Sequence, residues 1–224
     1  MTGFNRRLLK WQPAHRIVPT RFPSIYLYDR VANQEDFEAL NLLEAMTNPR
    51  IRDENGEICL VPKQERLFGP GTGPIMASFT HLNPAGSRFS DGTYGVFYAA
   101  KERVTAIAET RFHSENFLRA TNENPLHLQM RLYHVQVKGE VVELVTDNDA
   151  NKDIFSLTSY SASQAFGQQM REQGVNGVSY ASVREPGGHC VAVFKTAIVN
   201  ACVHAAYLEY HWNGVEINYI TERL

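Results

Sequence analysis

The stretch "GSRFSDGTYGVFYAAKERVTAIAETRFH" spans residues 86–113 and contains a loop, a strand and a helix pattern in succession. A turn-forming loop leads into a short strand rich in aromatic residues, and a helix of small and apolar residues follows. The helix is predicted over residues 101–118. Arg88 in the loop and Glu109 in the helix are hard to explain as core residues. We therefore expect this stretch to carry the function.

Arg88 and Tyr98 each have two interpretations. An arginine beside a turn is usually exposed, but one between a small-residue loop and a strand is also well placed to bind phosphate through two hydrogen bonds. Tyr98 ends the strand "GVFY", where a ring either packs in the core or stacks on a planar heterocycle. The residues themselves leave both alternatives open.

Glu109 and Ser182 raise the same question. A helix glutamate usually faces solvent, but Thr105 and Ala106, one turn earlier, offer it no cationic partner. A carboxylate against a pocket suits catalysis. Ser182 ends the apolar strand of "GVSYAS" just before a turn, where its hydroxyl either satisfies the backbone or points into a site. Each residue alone is a weak signal, and their order along the chain is a stronger one.

Composition narrows the class of protein. The chain has 224 residues and 43% hydrophobic content, which is typical of a globular protein. Its formal net charge of -2 predicts no strong electrostatic attraction to nucleic acid or to a membrane. Its three cysteines are far apart, which favours neither a disulfide framework nor a zinc cluster. With no secretory segment and no apolar run long enough to span a bilayer, we predict a reduced, cytoplasmic protein.

Three regions are predicted along the chain. Residues 1–24 contain three prolines and several basic residues but no acidic one, which predicts an irregular basic arm. Residues 25–200 form the main domain. Residues 201–224 form a C-terminal hairpin extension, packed on the same domain, with Asn213–Gly214 at its turn.

The predicted elements favour an α+β fold, since strands are numerous and do not alternate regularly with helices. The segment "IMASFTHLN" is apolar with some alternation. The segment "HLQMRLYHVQVKGEVVELV" is predicted as one or two strands joined at Lys138–Gly139. The segment "SASQAFGQQMREQG" is predicted as a helix. Ser161 or Ser163 caps this helix and Gly174 stops it. A strand at Ile25–Val31 and a helix capped by Asn33 are also predicted.

Common catalytic motifs are absent from the sequence. The stretch "GPGTGP" lacks the lysine and the serine or threonine of a phosphate-binding loop, and we interpret it as a flexible loop. No HExxH zinc motif and no G-x-S-x-G serine nucleophile motif occur. His81 and His113 are interpreted as satisfied or exposed histidines. No metal site is predicted.

Two stretches together, "GSRFSDGTYGVFYAAKERVTAIAET" and "GVSYASVREPGGHCVAVF", resemble the RES domain family, which is named for its arginine, glutamate and serine. The resemblance extends from about residue 16 to residue 194. It implies a fold similar to that of ADP-ribosyltransferase toxins, with mixed sheets and flanking helices. It also implies degradation of NAD+, by phosphorolysis or hydrolysis, and a toxin role with an Xre-type helix-turn-helix antitoxin as partner.

The resemblance assigns roles by position. Glu109 would stabilise the oxocarbenium character that develops on the ribose, and Tyr98 would stack on the nicotinamide. Arg88 and an early arginine would bind the diphosphate or inorganic phosphate. The early arginine is Arg16 or Arg30, with a slight preference for Arg16. The family serine falls on Ser182, which would orient the arginine, the glutamate or the ribose.

The predicted function is therefore that of an enzyme that uses NAD+ as substrate, with inorganic phosphate as a co-substrate if phosphorolysis applies, and that needs no cofactor. Two alternatives stay open. The same site could transfer ADP-ribose to a macromolecule, or the domain could bind NAD+ or a partner without catalysis. The sequence does not fix the oligomeric state, and a homodimer is an open alternative.

Overall fold

The computed structural model describes residues 4–21, 33–36, 39, 56–145 and 149–223. The seven strands with described bounds are β1 (Arg6–Pro19), β2 (Phe97–Ala100), β3 (Leu126–Leu144), β4 (Gly177–Ala181), β5 (His189–Val193), β6 (Val203–Trp212) and β7 (Ile217–Arg223). The α-helices with described bounds are α1 (Gly73–Thr80), α2 (Arg103–Ala120) and α3 (Ser161–Glu172). The predicted α+β class is confirmed, because strands and helices do not alternate regularly.

The named strands form one seven-stranded mixed sheet in the order β1-β2-β5-β4-β3-β6-β7. Strand β1 also pairs with β3, and it meets β2 at a single residue pair. These pairings make β1, β2, β5, β4 and β3 a closed ring of neighbours. Only β3 and β4 run parallel among the described pairs. Closing the ring covers strand edges that would otherwise need partners.

Strand β3 is continuous through Lys138–Gly139, so the alternative of one strand is correct. Its 19 residues pair with β1 on one side and with β6 and β4 on the other. Gly139 is not at a turn. An added Cβ there would lie 2.1 Å from a side-chain carbon of Ile198, so glycine permits close packing inside the strand.

The predicted irregular N-terminal arm is wrong, because residues 6–19 form strand β1. Leu9 and Trp11 are buried, and this apolar side fixes the strand on the sheet. The basic residues that indicated a solvated arm lie on the strand instead: Arg6 pairs with Glu140 at 2.6 Å, and Arg7 pairs with Glu143 at 2.6 Å.

Proline at position 13 is compatible with this strand. The pairing of β1 with β3 shifts register between Trp11 and Ala14, and Pro13 lies within that irregularity. A bulge is one of the few places in a sheet where a missing backbone donor is tolerated. The predicted strand Ile25–Val31, most of the helix predicted after Asn33, and the boundary at residue 24 lie outside the described residues.

The apolar segment after the glycine-rich loop forms helix α1, so its alternation does not mark a strand. Pro74 lies in the first turn, where its missing N–H would have no helical partner and its fixed φ suits a helix start. Ile75, Met76 and Phe79 are buried and share one helix face. The apolar run is therefore one side of a short helix.

Two further predictions have different outcomes. Gly174 stops α3 as predicted, with a φ of 73°. The serine cap is wrong: the N-cap is Tyr160 with no side-chain cap bond, and Ser163 is buried with its hydroxyl donating to the Tyr160 carbonyl at 3.0 Å. The C-terminal hairpin is confirmed as β6 and β7, with Gly214 at a φ of 98° in its turn.

The core lies on both faces of the sheet. Apolar residues of α2 and α3, including Ala106, Leu118 and Phe166, pack in one cluster. Those of α1 pack in the other, with Phe97 of β2. No helix in the described part of the chain is both long and apolar enough to cross a lipid bilayer. The site described below opens beside α2 and β1.

Helix α3 approaches the backbone of the Arg88 loop closely at Gly167. A Cβ built there would lie 2.3 Å from the Phe89 carbonyl oxygen. We predict that Gly167→Ala destabilises the protein by about 1–2 kcal/mol, because overpacking against backbone outweighs the roughly 1 kcal/mol of improved helix propensity. Urea unfolding measures this. Gln169→Ala, at an exposed position of the same helix, is the control and should be neutral, and a neutral Gly167→Ala would contradict the close approach.

Candidate active site

A cleft of about 420 Å³ opens between β1, β2, α2 and the loop before β2. Four of the predicted site residues line it: Arg16, Arg88, Tyr98 and Glu109. The structure therefore brings together residues that lie up to 93 positions apart in the chain (16 to 109). Ser182 reaches the cleft through a hydrogen bond to Glu109. Arg30 lies outside the described residues.

A tight turn presents Arg88 to the cleft. Gly86 has a φ of 73°, and a Cβ there would lie 2.6 Å from the Ser90 carbonyl oxygen, so glycine suits this position on both grounds. The Ser87 amide donates to the same carbonyl at 2.7 Å. The loop is closed on itself, and Arg88 is held within it.

The Arg88 side chain is buried without full satisfaction of its donors. The residue is 6% exposed. Its Nη1 donates to the carbonyls of Ile154 at 3.1 Å and Ser156 at 3.3 Å, and its guanidinium lies 4.7 Å from the ring centre of Tyr160. Its Nη2 has no hydrogen-bond partner within the described part of the chain. A buried cation with a spare donor beside a cleft is suited to an anionic ligand.

Tyr98 holds the Arg88 loop in place. Its hydroxyl accepts a hydrogen bond from the Phe89 amide at 3.0 Å and shares one with Ser87 Oγ at 2.8 Å. Burial raises the pKa of this phenol above its ordinary value of 10.0, so it stays protonated at neutral pH. The Tyr98 hydroxyl thus forms its hydrogen bonds with the loop, while the residue lines the cleft. Stacking of this ring on a ligand stays a prediction.

Glu109 is oriented by Ser182. Ser182 Oγ donates to Glu109 Oε1 at 2.6 Å. Ser182 Oγ also accepts hydrogen bonds from the backbone amides of Arg184 and Glu185, each at 3.1 Å. With both of its acceptor positions used, the hydroxyl proton points at the carboxylate. In this structure Ser182 therefore orients the carboxylate group of Glu109.

Arg16 forms the opposite wall and is engaged by protein atoms. Its Nη1 donates to the Tyr98 carbonyl at 2.9 Å and its Nη2 to Ser78 Oγ at 2.8 Å. The guanidinium lies 4.5 Å from the ring centre of Phe97. These contacts join β1 to β2 and α1. Arg16 therefore supports the cleft wall, and its buried Nε has no hydrogen-bond partner among the described residues.

His113 is an exposed residue, which agrees with one of the two interpretations from sequence, and it also lines the cleft. It lies one helical turn after Glu109, and this four-residue spacing was the available signal. Burial lowers its pKa below 6.5, Arg184 and Arg88 lower it further, and Glu109 opposes them. The imidazole is therefore neutral at pH 7 and can accept a proton.

Sequence reasoning missed two other residues, of which His15 lines the cleft and Arg184 contacts the segment after β3. Arg184 stacks on Phe112 with 3.3 Å to the ring centre and donates to the Leu157 carbonyl at 2.9 Å. With Arg88 it fixes the segment after β3 beside the cleft. His15 lines the cleft and is the cross-strand neighbour of His134. No sequence pattern marked either residue, because both depend on strand register and loop packing.

The family model described as "RES domain" matches residues 64–213, more than half of the chain. The protein y4oC of Sinorhizobium fredii, named as uncharacterized, is 29% identical over 212 residues, which cover 91% of this chain and 84% of that protein. A chain in the crystal structure of the M. tuberculosis MbcT-MbcA toxin-antitoxin complex is similar at a TM-score of 0.46 and 14% identity, with 88% of this chain and 86% of that chain covered.

The hydrogen bonds of the Ser182 hydroxyl should contribute to the stability of the protein. Ser182→Ala should lower the free energy of unfolding by about 1–3 kcal/mol, because a hydrogen bond to a carboxylate is lost and two backbone amides lose their acceptor. Ser182→Thr should recover part of this loss, and the exposed Ser161→Ala should be neutral. Chemical denaturation compares the variants. Equal effects of the alanine and threonine variants would contradict a role for the hydroxyl.

The environment of His15 should make the stability of the protein depend on pH. Burial lowers its pKa below 6.5, with His134 and Arg103 acting in the same direction and Glu102 opposing. As the pH falls below 6.5, the unfolded chain takes up a proton that native His15 does not, so stability falls. We predict that His15→Gln weakens this fall between about pH 7.5 and 5.5.

Thermal unfolding measured across that pH range tests the effect of His15. The exposed residue His204 provides the matched control, and His204→Gln should leave the pH profile unchanged. A profile that is the same in His15→Gln as in the unmodified protein would contradict the lowered pKa.

Proposed function

This chain belongs to the RES domain family, and we propose that it degrades NAD+ by breaking the bond between nicotinamide and ribose. The observation that carries the proposal is the cleft itself. It combines a buried arginine with a spare donor and a glutamate held by a serine. Its volume of about 420 Å³ falls in the range of small-molecule sites.

The proposed reaction requires negative charge near the ribose. As the bond from the ribose carbon to the pyridinium nitrogen breaks, positive charge develops on the ribose, and the carboxylate of Glu109 stabilises it. The bonding electrons go to nicotinamide, which leaves as a neutral molecule. A strong general acid is therefore unnecessary. Ser182 keeps the carboxylate in one orientation, so little reorganisation is needed during the reaction.

Arg88 supplies the anion contact. The unpartnered Nη2 would donate to a phosphate oxygen, either of the dinucleotide or of an attacking inorganic phosphate. Binding an anion would compensate a cation that the fold already holds buried between Tyr160 and two carbonyls. Tyr98 contributes a ring on the same wall, where a nicotinamide could stack.

Either inorganic phosphate or water could attack the ribose carbon in the proposed reaction. Phosphate would attack the ribose carbon and yield nicotinamide and a phosphorylated ADP-ribose. Water would yield nicotinamide, ADP-ribose and one proton, and neutral His113 on the cleft wall could take up that proton. We further propose the biological role of a toxin whose activity an Xre-type antitoxin restrains.

The test measures nicotinamide release from NAD+ by the purified protein, free of any antitoxin, with and without inorganic phosphate. Release that requires phosphate identifies phosphorolysis, and release without phosphate identifies hydrolysis. We predict that Glu109→Gln lowers kcat by about 100-fold or more, because the charge that stabilises the transition state is lost. Glu172→Gln, on the exposed side of α3, should retain the activity of the unmodified protein.

A second variant tests the anion contact. Arg88→Lys keeps the positive charge but loses the planar pair of donors, so we expect kcat/KM to fall by about 10- to 100-fold. Labelled NAD+ separates the alternatives: label on a macromolecule indicates ADP-ribosyl transfer, and binding without turnover indicates a non-catalytic module. Folded protein that neither releases nicotinamide nor transfers label would overturn the proposed reaction.

A further inference from the structure

A cluster of imidazoles and a carboxylate lies on the side of β6 away from the core. His127 of β3 and His211 of β6 are direct cross-strand partners, so their side chains share one face of the sheet. Glu209 precedes His211 by two residues on the same strand and therefore faces the same side. Their nearest ligand atoms, one from each residue, all lie within 4.8 Å of one another. This cluster, His127/Glu209/His211, is separate from the cleft.

The burial of this cluster is unusual for an outward-facing position. His211 is 7% exposed, although alternate residues of the neighbouring β7 on that face are exposed. Its ring stacks on Tyr219 with 3.8 Å between centroids and 17° between planes, and the His127 ring lies at 4.1 Å on centroids. The imidazole of His211 is thus stacked on one ring and in contact with a second, tilted ring. A buried histidine is held in place for contacts with its ring nitrogens.

The two imidazoles approach each other through nitrogen atoms. His211 Nδ1 lies 3.1 Å from His127 Nε2. Two nitrogens bound to one tetrahedral zinc, each at about 2.0–2.1 Å, would lie about 3.3 Å apart. The observed separation is therefore close to that of two nitrogen ligands of one metal ion, and metal binding would replace the contact between the two rings by a reorientation of the imidazoles. The other nitrogen of His211 lies 3.2 Å from Thr221 Oγ1, an outer contact that would orient the ring.

Glu209 is placed to complete the ligand set. Its Oε1 lies 3.4 Å from His211 Nε2 and 3.5 Å from His127 Nδ1. Its Oε2 lies 3.8 Å from Arg223 Nη2, an exposed side chain. The carboxylate faces the imidazoles through one oxygen and the guanidinium through the other. His211 Nε2 and His127 Nδ1 are not the nitrogens that face each other, so a metal ion bound between the facing nitrogens would require the Glu209 side chain to move toward them.

We propose that His127, Glu209 and His211 form a Zn²⁺ site on the outer face of the sheet. Two imidazoles and one carboxylate are a common zinc set, with water as the fourth ligand. The sequence analysis predicted no metal site, because Glu209 and His211 are only two residues apart and the third ligand is 82 residues earlier, and only the register of β3 with β6 joins them.

A metal at this site would join β3 to the C-terminal hairpin. Tyr210, between two of the ligands, faces the opposite side and shares a hydrogen bond of 2.7 Å with Thr110 of α2. Bound Zn²⁺ would therefore brace the strand that supports the helix of the cleft. This inference does not rest on the proposed function, and its test needs no substrate.

The test titrates the chelator-stripped full chain with Zn²⁺ in competition with a chromophoric chelator. We expect one equivalent to bind and thermal unfolding to shift upward, because the metal binds only the folded arrangement. Co²⁺ in place of Zn²⁺ should give the visible absorption of a tetrahedral nitrogen and oxygen site. His127→Ala should weaken binding at least about tenfold and abolish the thermal shift.

Control variants separate ligation from folding. His127 is exposed, so its replacement should leave the fold intact, whereas His211→Ala would remove a buried, stacked ring. Glu209→Gln removes the anionic ligand alone. His204→Ala, on the same strand but outside the cluster, should bind like the unmodified protein. Absence of a saturable single site, or equal weakening by His204→Ala, would overturn the proposal and leave the cluster as a hydrogen-bonded network.

Discussion

The antiparallel pairing of β1 with β3 is the interaction on which the remaining structure depends. It runs from Arg6 opposite Val142 to Pro19 opposite Met130, and it closes the ring of five strands through the single contact of His15 with Ala100. Buried apolar residues on one side of β1 stabilise the pairing. The same strand then carries His15 and Arg16 to the cleft, so the wall of the site is a consequence of the closed sheet.

Close backbone approaches determine the shape of the cleft. The turn around Gly86 and the contact of Gly167 with Phe89 leave no space for larger side chains. The Tyr98 hydroxyl then fixes the loop between them. Within this loop the guanidinium group of Arg88 is buried. The cost of burying it is reduced by two carbonyls and a tyrosine ring, and an anionic ligand would reduce it further.

The two halves of the proposed reaction site come from different parts of the chain. The anion contact comes from the loop before β2, and the carboxylate comes from α2 with its orientation set by the turn after β4. The segment after β3 links them, since its carbonyls accept hydrogen bonds from both Arg88 and Arg184. This arrangement explains why a positioning serine lies 73 residues from the glutamate that it contacts.

The resemblance to the RES domain family singled out residues 88, 98, 109 and 182. The sequence alone was enough to predict the α+β class, the helix that carries Glu109 and the C-terminal hairpin. These depend on periodicity, turn residues and local motifs, which are readable without knowledge of the partners of a strand. It failed for β1, where basic residues and prolines resembled a solvated arm, and for α1, where one apolar helix face resembled alternation.

Which side chains come into contact depends on the tertiary structure. The bond from Ser182 to Glu109, the cleft positions of His15 and His113, and the cluster of His127, Glu209 and His211 all depend on strand register and on loop packing. A local pattern reports which face of an element is apolar, but it does not contain the identity of the residue across the sheet. That identity is set by the free energy of the whole packed chain.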